Sequence, residues 1–221
     1  MMTNPTRTHG VRCALMASLL ALAVVGCDSG GGAEKPTPSV RAQQLCGGKA
    51  VTEEAAKALE EIFGTDRFEA TNKKTTVAAA AAELSRPAVS TTIGRGEICR
   101  IFPPVGSRTE VDDLRVRWYM YDTGPDQDHH PKYTLFPMGE QAGGATDGGY
   151  LYFECRANGH ATVTPNHISV NVENPDPFEE PEGDPRKLKR AYATVAHSFS
   201  LAMAKELRCA DDGGLKAAPS L

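Results

Sequence analysis

A chain of 221 residues with a formal net charge of −4 is long enough for one sizeable buried core. Its acidic balance argues against a nucleic-acid partner, because phosphate backbones are met by basic stripes. Apolar residues make up 40%, yet no run reaches the roughly eighteen that a membrane-spanning helix needs.

The N-terminus carries Arg7, His9 and Arg12 ahead of an apolar run over residues 13–25, the charged and hydrophobic regions of an export signal. The run ends in Val24-Val25-Gly26-Cys27. That tetrad resembles the lipobox of bacterial lipoproteins, in which small residues precede a cysteine that is acylated and becomes residue one after cleavage. The resemblance implies a signal peptide over 1–26, lipidation at Cys27 and a lipid anchor on the extracytoplasmic face of the cell membrane. The membrane is thus the first expected partner. One acyl chain anchors marginally, at ~0.8 kcal/mol per buried methylene, whereas two or three hold almost permanently. Residues 27–44 are Gly-, Pro- and Ser-rich with little to bury and read as a flexible spacer. A single globular domain is expected over 45–210, and a disordered tail over 211–221.

With Cys13 lost in the leader and Cys27 lipidated, Cys46, Cys99, Cys155 and Cys209 remain. An even number in an exported domain reads as two disulfides. Spacing alone does not choose among three pairings. Cys99 and Cys155 fall in strand-like runs while Cys46 and Cys209 bracket the domain, which favours Cys99 with Cys155 and Cys46 with Cys209. A zinc site would need C-x2-4-C pairs, which the sequence lacks.

Thr52 caps a first helix whose opening turn holds Glu53 and Glu54, with Ala55, Leu59, Ile62 and Phe63 on one apolar face and Gly64 as the stop. A short alanine-rich helix follows over 77–84. Strands are expected near 98–102, 114–122, 133–136, 150–156 and 167–173. In the second, Leu114, Val116, Trp118 and Met120 alternate with Arg115, Arg117, Tyr119 and Tyr121. Leu151, Phe153 and Cys155 alternate likewise with Tyr150, Tyr152, Glu154 and Arg156, and Asn158-Gly159 suits a hairpin turn. A last helix begins at Asp184-Pro185 and carries Leu188, Tyr192, Val195, Phe199 and Met203 three or four apart. The order predicts an α+β fold: an antiparallel sheet of about five strands with helices packed mainly on one face and two disulfides.

Catalytic patterns are weak. Asp122-Thr123-Gly124 occurs once, whereas an aspartic protease needs two such aspartates sharing a proton. Asp126, Asp128, His129 and His130 are adjacent in a loop and would need His160 or His167 to converge on an ion; no metal is expected. The acidic run over 173–184 lacks the order of a calcium loop. No nucleophile elbow is present, and His197 and Ser198, adjacent on a helix, point about 100° apart. No cofactor and no catalytic residue follow. What remains is the wetter sheet face, where Arg117, Tyr119, Tyr121, Tyr150 and Tyr152 are candidate binding residues, flanked by Arg115 and Arg156.

Together, the leader, spacer, four cysteines and element order resemble the secreted lipoproteins of actinobacteria, some of which have PsbP-like folds. The expectation is a non-catalytic binding or accessory module facing a cell-envelope protein, cell-wall or small-molecule partner. The alternative is a secreted hydrolase or metal-dependent enzyme with an unrecognised site.

Overall fold

Thr52 and Asp184 do what their positions predict, and the two helices that they cap set the interior. Thr52 Oγ1 accepts the Ala55 N–H (3.2 Å) and opens α1, Glu53–Phe63, which Gly64 ends in the left-handed conformation. Asp184 accepts the Arg186 N–H (2.9 Å) and opens α3, Pro185–Glu206. In this computed structural model the described residues are 38–85, 94–109, 111–126, 130–156, 166–175 and 183–221. In chain order they form β1 (Ser39–Arg41), α1, β2 (Arg67–Glu69), α2 (Val77–Leu84), β3 (Gly94–Ile101), β4 (Leu114–Tyr121), β5 (Thr134–Phe136), β6 (Gln141–Gly144), β7 (Gly148–Cys155), β8 (Asn166–Glu173) and α3.

The fold is α+β, with an antiparallel six-stranded sheet in the order β3-β4-β8-β7-β6-β5 and a two-stranded ribbon of β1 and β2. One sheet face is apolar: Val116, Trp118, Leu151, Phe153, Ile168, Val170 and Val172 are buried under the helices. Helix α3 crosses β6, β7 and β8, while α1 and α2 pack on its far side and α2 also reaches β3. Buried without interruption from Ala191 to Ala204, α3 is the middle layer, and Thr194 within that stretch satisfies its hydroxyl on the Arg190 carbonyl (2.8 Å). The Ser198 hydroxyl donates to the Ala50 carbonyl (2.7 Å) and accepts the Thr52 N–H (3.0 Å), joining α3 to the start of α1.

The sheet has one strand more than the pattern predicts. Strand β6, Gln-Ala-Gly-Gly, carries no alternation to read, because its glycines serve close packing. A Cβ on Gly144 would strike the Lys189 carbonyl, and one on Gly149 of β7 would lie 2.7 Å from the Tyr192 carbonyl. The domain is also longer at both ends than expected. Residues 39–41 are a strand, and Ala42 and Leu45 are buried, so the spacer reading is too long by several residues. A three-residue strand carries no period of its own; its partner β2 defines it. The tail past Ala210 is ordered as well. The Ala210 N–H donates to the Arg156 carbonyl (2.8 Å), Gly213 lies against Phe153, and Leu215 is buried. His197, only 2% exposed, hydrogen-bonds the Lys216 backbone, while burial holds its pKa below the ordinary histidine value. The expected signal peptide and Cys27, the expected turn at Asn158-Gly159, Asp128, His129, His160 and most of the acidic run lie outside the described residues.

Two disulfides are present, but with other partners than the sequence favours: Cys46 joins Cys99 (Cα–Cα 5.7 Å) and Cys155 joins Cys209 (Cα–Cα 4.9 Å). Sheet order is the reason. Strands β4 and β8 lie between β3 and β7, so Cys99 and Cys155 are three strand spacings apart, about 14 Å, twice what a disulfide can bridge. A bulge after Glu97 turns both Ile98 and Cys99 inward, toward Cys46 under the sheet. Closing loops with sequence separations of 53 and 54, each bridge contributes about 4 kcal/mol in the loop-entropy model. Non-reduced peptide mapping is expected to return these two cross-linked pairs; a Cys99–Cys155 peptide would contradict the strand order.

Candidate binding face

Alternation sends the other side chains of β4, β8 and β7 to the opposite face, and the register sets them in rows. Arg117 lies across from Asn171 and then Tyr150; Tyr119 from Ser169 and then Tyr152; Tyr121 from His167 and then Glu154. All five residues expected there, Arg117, Tyr119, Tyr121, Tyr150 and Tyr152, therefore share one face, although β8 separates the two strands that carry them. Arg115 and Arg156 stand at its two ends. Arg115 lies 3.7 Å from the buried Asp113, which Arg100 holds at 2.7 Å, and Arg156 pairs with Glu154 at 2.9 Å.

The tyrosine rings touch in a continuous row. Centroids are 6.4 Å apart for Tyr119 and Tyr121, 5.6 Å for Tyr121 and Tyr152, 5.7 Å for Tyr152 and Tyr150, and 4.8 Å for Tyr150 and Tyr133. Small residues make this possible. Ser169, fully buried, leaves space between Tyr119 and Tyr152, and its hydroxyl donates to Asn171 Oδ1 (2.6 Å). At Gly143 a Cβ would sit 2.6 Å from the Tyr150 ring and 3.1 Å from Tyr133, so glycine is what lets those rings meet edge to face.

Exposure is uneven. Tyr119, Tyr121, Tyr133 and Tyr152 are half-buried, whereas Tyr150 is 8% exposed, closed in by its neighbours. Tyr150 is thus the floor of the row and not the open contact residue that alternation alone implies. Its hydroxyl donates to Gln141 Oε1 (3.0 Å), whose amide donates to the Asp126 carbonyl (3.1 Å). Ion pairs border the row: Arg117 with Glu173 (3.7 Å), and Lys132, over the Tyr133 ring, with Asp147 (3.0 Å). Hydrogen bonding to Tyr119 and the charge of Glu173 hold the Arg117 guanidinium above its ordinary value. Tyr133 and Gln141 were not legible as site residues: Tyr133 precedes a three-residue strand and Gln141 opens the unpatterned β6.

The remaining candidates do not converge. Asp122-Thr123-Gly124 is where β4 runs out into a turn, and Gly124 packs against His167. The His130 Nδ1 accepts the Lys132 N–H (3.3 Å). His167 Nδ1 lies 2.9 Å from both Glu140 oxygens, an ion pair when the ring is protonated. Glu140 also borders two open clefts of about 270 and 410 Å³, one beside Leu135 and Phe136, the other against Asp211 and Gly213. Among the described residues no group of three or more His, Cys, Asp or Glu is placed to hold a metal ion.

Burial raises the pKa of Tyr121, aided by a hydrogen bond to Tyr152, and pushes Tyr150 up to about 12. The folded state therefore holds these protons more tightly than the unfolded chain, and stability falls as pH rises from the ordinary value of 10.0 through about 12. Ultraviolet titration is expected to show part of the tyrosine signal ionising only in that range, together with unfolding.

No family model matches this chain, nor does any curated protein or solved structure.

Proposed function

We propose that this protein is an extracytoplasmic lipoprotein, anchored through Cys27, that works as a non-catalytic binding or accessory module of the cell envelope. Its tyrosine face meets a cell-envelope protein, cell-wall or small-molecule partner. The observation that carries the reading is the contiguity of Tyr119, Tyr121, Tyr152, Tyr150 and Tyr133 on a sheet face that no described helix packs against. Tyrosine and arginine dominate binding hot spots because they offer large amphipathic area at low ordering cost. Here the rings already brace one another, which lowers that cost further. The neutralised pairs Arg117–Glu173 and Lys132–Asp147 favour a partner without strong net charge. A second reading, a secreted hydrolase or metal-dependent enzyme, draws on one observation, the carboxylate-held His167 beside the Glu140 clefts. Against its metal-dependent form stands the missing third ligand: among the described residues no further His, Cys, Asp or Glu joins the pair in a group placed to hold a metal ion.

Two measurements test the proposal. Cys27→Ala is expected to abolish incorporation of labelled fatty acid and to release the protein from the membrane fraction; unchanged association counts against the anchor. Tyr119→Ala with Tyr152→Ala is expected to weaken partner capture roughly thirtyfold, the usual cost of removing a central anchor of 2 kcal/mol. Because both rings are half-buried, stability should fall by about 1–2 kcal/mol as well. Unfolding without any intermediate effect on capture would mark the row as packing only.

A further inference from the structure

Polar residues are the usual occupants of turn apices, since the chain there faces water. The turn that follows β3 breaks this rule. Its sequence is Phe102-Pro103-Pro104-Val105-Gly106-Ser107, closed by the Ser107 N–H donating to the Pro104 carbonyl (3.0 Å), with Gly106 at φ 79. Val105 is therefore the apex and is 79% exposed, and Phe102, 36% exposed, stands beside it with the Arg100 guanidinium 5.1 Å over its ring. These are two of the few large apolar side chains that the described surface leaves open, and two prolines stiffen the chain between them.

Place matters as much as composition. The Phe102 carbonyl accepts the Glu69 N–H (2.9 Å), and the next residue, Ala70, donates to the carbonyl of Pro38 (3.3 Å), the first described residue. The chain thus enters the domain within two strand spacings of Phe102, about 10 Å. About eleven peptide units separate Cys27 from Pro38, a reach of at most about 40 Å at full extension. Arg41 and Arg67 pair across β1 and β2 at this corner and Arg108 follows the turn, while Arg100 is committed to the buried Asp113 (2.7 Å) and Glu69 and Asp112 supply acidic charge.

We propose that this turn is a membrane-contact loop, seating Val105 and Phe102 among the headgroups of an anionic lipid surface while the arginines meet the phosphates. An apolar tip flanked by Arg41, Arg67 and Arg108 at the corner where the chain enters the domain fits the interface of a bilayer, where apolar burial and attraction to anionic lipid add. The inference rests on the anchored reading of the chain only for how the loop reaches a membrane, not for its affinity.

The test uses the full-length protein with Val105→Trp, both with Cys27 intact and as Cys27→Ser, on vesicles of phosphatidylglycerol and of phosphatidylcholine. In both forms the added indole is expected to shift its emission to the blue on phosphatidylglycerol and to be quenched by brominated acyl chains. In the Cys27→Ser background, Val105→Asp should lower retention on phosphatidylglycerol about tenfold. Vesicle-bound protein with unshifted emission overturns the proposal, and an equal shift on phosphatidylcholine overturns the role of the arginines. Loss of a protein cross-link from cells by Val105→Asp, with no vesicle response, would make the occupant a protein and overturn it too. Failure of the anchor shows separately, as equal vesicle retention of the Cys27 and Cys27→Ser forms.

Discussion

Helix α3 lies against β6 and β7 with backbone on backbone: Gly144 faces the Lys189 carbonyl and Gly149 the Tyr192 carbonyl, at separations that leave no space for a methyl group. Much else follows from this contact. It fixes which face of the sheet is inner, so that every apolar residue in register with Gly149, Val172 and Val116 first, is buried. Period two then forces Arg117, Tyr119, Tyr121, Tyr150 and Tyr152 outward together. A slip of one residue in β7 would bring Tyr150 under the helix, where a side chain of that size has no room. The close approach is therefore also a register lock, and the two disulfides tie its ends, at Cys209 just past α3 and at Cys99 on the far edge of the sheet.

What the sequence made legible was whatever is encoded locally. Caps at Thr52 and Asp184 bound the two longest helices because each cap acts within one turn of itself. The alternation in β4 and β7 was readable for the same reason, and with it most of the outer face. The order of strands was not. Strand β8, last in the chain, enters between β4 and β7, and only that insertion separates Cys99 from Cys155. Pattern within a strand holds no information on its neighbours, so a pairing argued from strand content alone had nothing to exclude it. Strands β1, β2 and β6 were missed because three or four residues show no period, and the tail because Leu215 and the Lys216 carbonyl find their partners on distant elements.

The outer face carries a tension that packing alone does not relieve. A row of five tyrosines withdraws aromatic surface from water, yet it leaves four of the rings half open and draws their hydroxyls into neighbouring hydrogen bonds. A purely structural patch would be expected to cover such rings with a helix or loop, or to replace them with smaller polar residues at little cost, since exposed sheet positions contribute modestly to stability. Keeping them requires Ser169 and Gly143 to stay small, which gives up packing in the sheet itself. Such concessions make physical sense where the rings gain further burial on binding.

Geometry relates this face to the turn that follows β3. Ile101, next to Phe102, pairs with Leu114, so β4 starts at that corner and runs away from it. At about 3.4 Å per residue, Tyr119 lies roughly 17 Å and Tyr121 roughly 24 Å along the strand from Leu114. With the turn against headgroups, the tyrosine row would stand side-on to the membrane and clear of it by more than a Debye length, about 8 Å at physiological salt. There the field of anionic lipid is screened and the ion pairs that border the row keep their partners. A face set at that height would meet molecules of the envelope edge-on, not lipid, so under this proposal the arginine-flanked turn would orient the domain and leave the tyrosine row free to bind.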